Sequence, residues 1–98
     1  MDKYYTSGDW HVREGSEAEF TKRWVAFVEW AKSNAHGHFV LIQENDQPRH
    51  YVSVGTFGSA EDVKKWISAP EFQDAYQACG DLCDSFHGAA YSLVTSVD

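Results

Sequence analysis

Apolar side chains recur at helical spacing soon after the turn formed by Glu14, Gly15 and Ser16. They lie three or four residues apart with mostly polar residues between them: Phe20, Trp24, Phe27 and Ala31. Ser16 and Glu19 have the spacing of a capping box, in which each side chain bonds the backbone N–H of the other residue. The pattern predicts an amphipathic helix over residues 17–34.

Four other segments have the short length and the β-branched and aromatic content that are typical of strands. They are residues 4–13, 38–43, 50–57 and 90–97. The second segment is almost continuously apolar, which predicts burial on both of its faces. The polar residues 44–49 predict a turn between the second and third segments, so these two strands are expected to form a hairpin.

Helical spacing returns after residue 59 and is interrupted at Pro70. Ser59 is a good N-cap for a helix over residues 60–68, because two acidic residues follow it in the first turn. Proline is tolerated at the start of a helix, so a second helix is expected over about residues 71–86. Its inward stripe is Phe72, Tyr76, Cys79, Cys83 and Phe86. The two cysteines share one helix face, which favours buried free thiols over a disulfide.

The element order β-α-β-β-α-β, with the second helix broken, is typical of an α+β ferredoxin-like fold. It predicts one domain over residues 1–98, in which helices cover one face of a four-stranded antiparallel sheet. The other face would carry apolar side chains from several strands. Because a large apolar face rarely stays in water on a monomer, a homodimer through the sheet face is expected.

Charge narrows the range of partners. Fifteen acidic and eight basic residues give a net charge of −7, and no run of Lys or Arg exceeds two residues. Nucleic acids and anionic membranes need a concentrated basic face, so neither is expected as a partner. No window resembles a signal peptide or a membrane span, which predicts a cytoplasmic protein.

Four motifs in register resemble the antibiotic biosynthesis monooxygenase family of dimeric α+β barrels. They are residues 10–15 followed by Phe20 and Trp24, residues 55–61, residues 66–72, and Ser85-Phe86 before the last strand. The resemblance covers nearly the whole chain. It implies a pocket between sheet and helices in each subunit, and a barrel formed by the two sheets. Characterised relatives of this kind include oxygenases that oxidise phenolic polyketide-like rings without a cofactor, haem-degrading enzymes and small isomerases.

The haem-degrading branch is testable by residue. It requires an Asn on the first strand, a Trp, and a His ten residues after that Trp as the iron ligand. Here Trp66 is present, but Gly8 stands at the Asn position and Tyr76 at the His position. Tyrosinate can ligate ferric haem, so binding stays open, but haem degradation is not expected.

Three residues are candidates for catalysis. The indole of Trp66 could stack on a planar substrate and donate to its oxygen, and Tyr76 could donate a hydrogen bond or a proton. His11 is a candidate general base because imidazole titrates near neutrality. Phe72 and Arg13 are candidate substrate-binding residues, the first as a wall and the second as an anion partner. Each of the five has an alternative interpretation as ordinary core, dimer contact or surface ion pair.

Metal and cofactor signatures are weak in the sequence. The five histidines show no H-x-x-x-H spacing and no recognisable pattern with carboxylates, so no metal site and no cofactor are expected. The function that fits best is a cofactor-independent monooxygenase acting on a small aromatic or polyketide-like phenol. The alternatives are a non-catalytic domain that binds a hydrophobic metabolite, and an isomerase or lyase of the same fold.

Overall fold

A four-stranded antiparallel sheet with three helices on one face makes up the fold. The computed structural model describes residues 3–98. Its elements are β1 (Tyr4–Val12), α1 (Glu17–Asn34), β2 (His38–Glu44), β3 (Gln47–Phe57), α2 (Ala60–Ile67), α3 (Pro70–Gly80) and β4 (Cys83–Ser92). The strand order is β2-β3-β1-β4. The predicted ferredoxin-like architecture is therefore confirmed.

The core lies between the sheet and the helices. Alternate residues of β1 are buried on the face toward the helices, and Trp10 and Val12 are 1% exposed. The apolar stripe of α1 packs against them, as its spacing predicts: Phe20, Trp24, Phe27 and Ala31 are all buried. This buried side of the sheet is called the inner face below, and the opposite side is called the outer face.

The end of the last helix differs from the sequence expectation. α3 stops at Gly80 and β4 begins at Cys83, whereas a helix to residue 86 and a strand over residues 90–97 were predicted. A side chain at position 80 would clash, because an added Cβ would lie 2.2 Å from the ring of Phe86. That ring belongs to β4, where it stacks on Trp10 with centroids 5.8 Å apart. Helical spacing between residues 79 and 86 is therefore coincidental.

Two arginines bind carbonyl groups at the end of α3 and the start of β4. Arg13 donates to the carbonyl oxygens of Asp81 and Cys83, both at 3.2 Å. Arg23 donates to the carbonyl of Ala78 at 2.8 Å. The bonds to Ala78 and Asp81 satisfy carbonyls that the helix leaves without partners, and the bond to Cys83 holds the start of β4.

Only one of the two predicted helix caps forms. The Ser59 hydroxyl accepts from the backbone N–H of Asp62 at 3.1 Å and caps α2, as expected. Ser16 makes no side-chain cap bond, so the predicted capping box is wrong. Its intended partner Glu19 pairs instead with Arg23, one helical turn further on, at 3.0 Å. The ion pair competes for the carboxylate that the box requires.

The two cysteines are buried free thiols, as predicted, although they belong to different elements. The Cys83 thiol lies 3.5 Å from the Cys79 carbonyl oxygen. Burial raises the pKa of Cys79 to about 12 and that of Cys83 to about 11. Both thiols therefore stay protonated at neutral pH and serve as small core residues.

The outer face of the sheet carries exposed apolar side chains. Val40 and Ile42 on β2 are 56% and 55% exposed, and Tyr91 on β4 is 54% exposed. Within one chain, β2 is thus buried on a single face, and the expectation of burial on both faces is not met. Its side chains alternate between the two faces as in any half-buried strand.

Candidate functional site

A cavity of about 310 Å³ lies between the inner face of the sheet and the three helices. All four strands and all three helices contribute to its lining: Thr6, Ser7, Gly8, Trp10, Phe27, Val28, Phe39, Ser53, Gly55, Trp66, Ile67, Phe72, Tyr76, Gly88, Ala89 and Ala90. The volume is at the lower end of the range for small-molecule sites. The Tyr76 phenol is the one titratable side chain of this lining, and its pKa lies well above neutral pH.

Apart from Trp10 and Phe39, the sheet side of the cavity is built from residues with a small side chain or none. Gly8 of β1 pairs with Ser53 of β3 on one side and with Gly88 of β4 on the other. A Cβ at Gly8 would lie 2.5 Å from the Trp10 indole nitrogen and 2.6 Å from the Ser53 hydroxyl. The missing side chain at Gly8 lets the Trp10 indole and the Ser53 hydroxyl lie directly over β1, and the missing side chain at Gly88 admits the Tyr76 hydroxyl. The three-strand row Ser53-Gly8-Gly88 is called the glycine floor below.

Aromatic rings form the helix side of the cavity. Trp66 closes α2, and the break at Pro70 turns the chain so that Phe72 and Tyr76 follow on α3. Trp66 and Phe72 meet edge to face with centroids 5.0 Å apart, and Phe72 stacks on Tyr76 at 5.2 Å. Phe27 of α1 completes the group, 5.1 Å from Trp66. Contacts at these distances fix the rings relative to one another.

The two indole N–H groups of the lining differ in whether they already have a hydrogen-bond acceptor. The Trp10 indole N–H donates to the Ser53 hydroxyl at 3.1 Å. The indole N–H of Trp66 is buried, and among residues 3–98 it has no acceptor. A buried donor without a partner is costly, so an acceptor brought by a ligand would be stabilising.

Tyr76 carries its hydroxyl close to the glycine floor. A Cβ at Gly88 would lie 3.0 Å from the Tyr76 oxygen. Burial raises the pKa of Tyr76 above its usual 10, and a hydrogen bond with the Gly88 backbone opposes this only in part. The side chain is therefore a neutral phenol at physiological pH, which suits a hydrogen-bond donor and does not suit a base or an iron ligand.

The cavity brings together three of the five predicted site residues, namely Trp66, Tyr76 and Phe72. His11 and Arg13 are not part of its lining. His11 projects from the outer face, where its ring stacks on His50 at 4.4 Å. Arg13 is engaged with the carbonyls at the end of α3 and lies 3.7 Å from the Asp84 carboxylate.

Sequence reasoning missed the glycine floor and the partner of His11. Glycines within a strand signal a close approach or an empty space, and Gly8 and Gly88 carried that signal. Their meeting depends on the pairing of β1 with β4, which cannot be read from either segment alone. The same holds for His11 and His50, which lie directly opposite each other in the β1–β3 pair.

Comparison with protein families gives one decisive result. The model of the antibiotic biosynthesis monooxygenase family matches residues 4–78, which is more than half of the chain. The chain belongs to this family. The match includes β1, the helices α1 and α2 and nearly all of α3, and thus most of the lining of the cavity. Curated protein sequences give no significant match.

Solved structures of the same fold are similar over almost the full length. A mutant of SnoaB, a cofactor-independent oxygenase from Streptomyces nogalater, has a TM-score of 0.87 at 15% identity and covers 99% of this chain and 98% of its own. A conserved protein from Methanosarcina mazei has a TM-score of 0.83 at 12% identity, with coverages of 96% and 95%.

A putative antibiotic biosynthesis monooxygenase from Caulobacter crescentus has a TM-score of 0.81 at 16% identity, with coverages of 96% and 92%. At these identities the likeness establishes the fold alone.

Among the described residues, no helix is both long and apolar enough to span a membrane.

Proposed function

We propose that the protein is a cofactor-independent monooxygenase that oxidises a small aromatic or polyketide-like phenol in the cavity beside Trp66. The observation that carries the proposal is a neutral, aromatic-walled cavity in which the buried Trp66 N–H has no acceptor among residues 3–98. Flat rings fit such walls, and a phenolic oxygen is a suitable acceptor for an indole N–H. Membership of the family and the fold shared with an oxygenase support the reaction class.

The substrate supplies the electrons in this reaction. Loss of a proton from an anthrone-type phenol gives a delocalised anion, which passes one electron to O₂. Recombination of the two radicals forms a C–O bond, and protonation gives a hydroperoxide. Loss of water then leaves a ketone, so one oxygen atom of O₂ enters the product and the other leaves as water.

The protein contributes position, exclusion of water and hydrogen bonds. Trp66 and Tyr76 would donate to the substrate oxygen and stabilise the anion, in the manner of an oxyanion hole. Phe72 would hold the ring plane against the helix side. Because the lining offers no ionised base, the proton would leave to water rather than to a side chain.

The predicted roles of His11 and Arg13 stay predictions. Both lie outside the cavity of their own chain, so neither is assigned a step in this reaction. We also propose that residues 1–98 form a single domain that pairs with a second copy through the outer face, since the exposed Val40, Ile42 and Tyr91 would then be covered.

Oxygen consumption tests the proposal directly. The purified protein is mixed with a panel of anthrone- and quinol-type phenols, and O₂ uptake and product are followed. We expect uptake above the uncatalysed rate for at least one compound, and a loss of about tenfold or more in kcat/KM for Trp66→Phe, which keeps a ring but removes the N–H. Oxygen uptake at the uncatalysed rate for every compound of the panel would refute the proposed monooxygenase activity.

Trp24 offers a matched control for that variant. Its indole N–H is likewise buried without an acceptor among the described residues, but Trp24 lies outside the lining of the cavity. Trp24→Phe should therefore leave kcat/KM unchanged. Binding of a panel compound by a protein that consumes no oxygen would favour the alternative, a non-catalytic domain for hydrophobic metabolites. That alternative is motivated by the same lack of an ionised base in the cavity.

A further inference from the structure

Four polar side chains meet on the outer face, close to the turn between β2 and β3. Asp9 and His11 come from β1, His50 from β3 and Glu44 from the end of β2. They are called the outer-face cluster below. His50 Nε2 lies 2.5 Å from an Asp9 carboxylate oxygen, and His50 Nδ1 lies 2.6 Å from a Glu44 carboxylate oxygen. His11 Nε2 lies 3.6 Å from the same Asp9 oxygen.

We propose that the outer-face cluster is a binding site for a divalent transition-metal ion of the zinc class. His11, His50 and Asp9 are its ligands, and Glu44 orients His50. One donor atom from each of the three ligands lies within 4.8 Å of the other two. Two imidazoles and one carboxylate are a donor set that zinc, copper and nickel accept. The site lies on the opposite side of the sheet from the cavity and does not depend on the proposed function.

The distances require only small movements to admit an ion. Metal–ligand bonds of about 2.0–2.2 Å in a tetrahedron place donor atoms about 3.3–3.6 Å apart. His11 Nε2 and the Asp9 oxygen already have that separation. His50 Nε2 must move about 1 Å away from Asp9 for the same separation. The two stacked rings must also tilt so that their nitrogen lone pairs converge. Within one chain His11 and Asp9 are each 52% exposed, so their movement disturbs little of that chain's own packing.

Glu44 supplies the feature that distinguishes a metal site from a chance group of polar residues. Ligating histidines commonly hold their second ring nitrogen on a carboxylate, which selects the tautomer and fixes the ring plane. The contact of Glu44 with Nδ1 leaves Nε2 of His50 as the coordinating nitrogen. A metal ion would then replace the proton that His50 Nε2 shares with Asp9. Binding is therefore expected to weaken as the pH falls and protons compete.

Strand pairing creates the cluster, which explains why spacing along the chain gave no sign of it. His11 and His50 are far apart in sequence but directly opposite in the β1–β3 register. Asp9 lies two residues before His11 and thus on the same face of β1. The chain also has an acidic balance of −7, which favours the approach of cations.

Zinc titration of the chelator-treated full-length protein tests the site. Calorimetry at about pH 8, above the ordinary pKa of free imidazole, should give one ion per chain. The variants Asp9→Asn, His11→Asn and His50→Asn should each weaken binding by at least about tenfold, and Glu44→Gln by about tenfold. His38→Asn is the matched control, because His38 is an exposed histidine paired with Thr56 at the opposite end of the sheet.

A second readout locates the ion. In NMR spectra, zinc should shift the ring signals of His11 and His50 and leave those of His38 in place. Co²⁺ should give a visible absorption spectrum that is lost in His11→Asn. If circular dichroism shows that His50→Asn does not fold, zinc binding by Asp9→Asn and His11→Asn tests the proposal, because both positions are half-exposed. The proposal would be overturned if zinc produced neither binding heat nor NMR shifts in the wild-type protein. It would also be overturned if Asp9→Asn and His11→Asn bound zinc as tightly as the wild-type protein does.

Discussion

The two faces of the sheet are built from the same strands but offer opposite chemistry. The cavity over the inner face is lined by glycines, small residues and aromatic rings, and its one titratable group, Tyr76, is neutral at physiological pH. The outer face combines exposed aliphatic side chains with the outer-face cluster, in which His50 lies between two carboxylates. Since neighbouring residues of a strand point to opposite faces, each strand contributes to both surfaces. One face thus suits an uncharged ring and the other suits a protein surface and a cation.

Truncating Trp66, which packs over the inner face from α2, should have the largest effect on stability. Four phenylalanine rings lie with centroids 5.0–5.7 Å from Trp66. Trp66→Ala should therefore lower the free energy of unfolding by about 3–5 kcal/mol, as measured by urea denaturation. Val94→Ala is the control, because Val94 is 94% exposed, and it should change stability by less than about 0.5 kcal/mol. A loss below about 1 kcal/mol for Trp66→Ala would mean that its ring is not part of the packed core.

Filling the glycine floor with a side chain should have the second-largest effect. In Gly8→Val the new Cβ would lie within 2.6 Å of Trp10 Nε1 and of the Ser53 hydroxyl. We therefore expect the free energy of unfolding to fall by about 1–3 kcal/mol and ligand binding to be lost. Thermal unfolding and a dye-displacement assay measure the two effects. Ser7→Val changes the neighbouring residue, whose backbone borders the cavity but whose side chain alternates to the outer face, and should leave stability within about 0.5 kcal/mol. Equal effects at both positions would contradict the assignment of faces.

The outer face can be tested through assembly. For the wild-type protein we expect a light-scattering mass of twice the 11.1 kDa of one chain. Ile42→Asp places a charge among aliphatic side chains and should weaken the dimer at least tenfold, which corresponds to about 1.4 kcal/mol. Val25→Asp adds the same charge at an exposed position of α1 and should leave the mass unchanged. A wild-type mass of one chain would show that the outer face is not a dimer contact.

The smallest expected effect is a pH dependence that arises from His50. Hydrogen bonds with Glu44 and Asp9 raise the pKa of His50 above 6.5 in the folded state. The added stability is therefore complete below the unfolded pKa and is lost as the pH rises through the folded one. In the presence of a chelator, wild type should exceed His50→Gln in urea midpoint by more at about pH 6 than at about pH 8.5. A trend of the opposite sign would show that the folded state lowers the pKa of His50.

The sequence predicted the elements whose signals are local. The stripe of α1, the cap at Ser59 and the helix start at Pro70 were identified, and helical spacing placed Phe72 and Tyr76 on one face of the helix after Pro70. The end of α3 was missed because Cys83 and Phe86 continue that spacing by coincidence.

Features that depend on strand register were beyond sequence reasoning. The glycine floor joins three strands, and the outer-face cluster joins His11 to His50 across β1 and β3. Only the pairing of the strands decides which of these residues meet. The cavity lies where the family resemblance implies a pocket, between sheet and helices. His11 was considered as a base for that pocket, but its position on β1 directs its side chain to the outer face, away from the cavity.

The neutral lining of the cavity has a consequence for which molecules it retains. A compact anion such as acetate would exchange strong hydration for walls that offer only dipoles and ring faces, and the cost of that transfer grows with the concentration of charge. An anion spread over two or three fused rings leaves much less hydration behind and gains contact over its whole area. We therefore expect the cavity to discriminate by charge density, retaining extended conjugated anions and rejecting small carboxylates without any repelling residue.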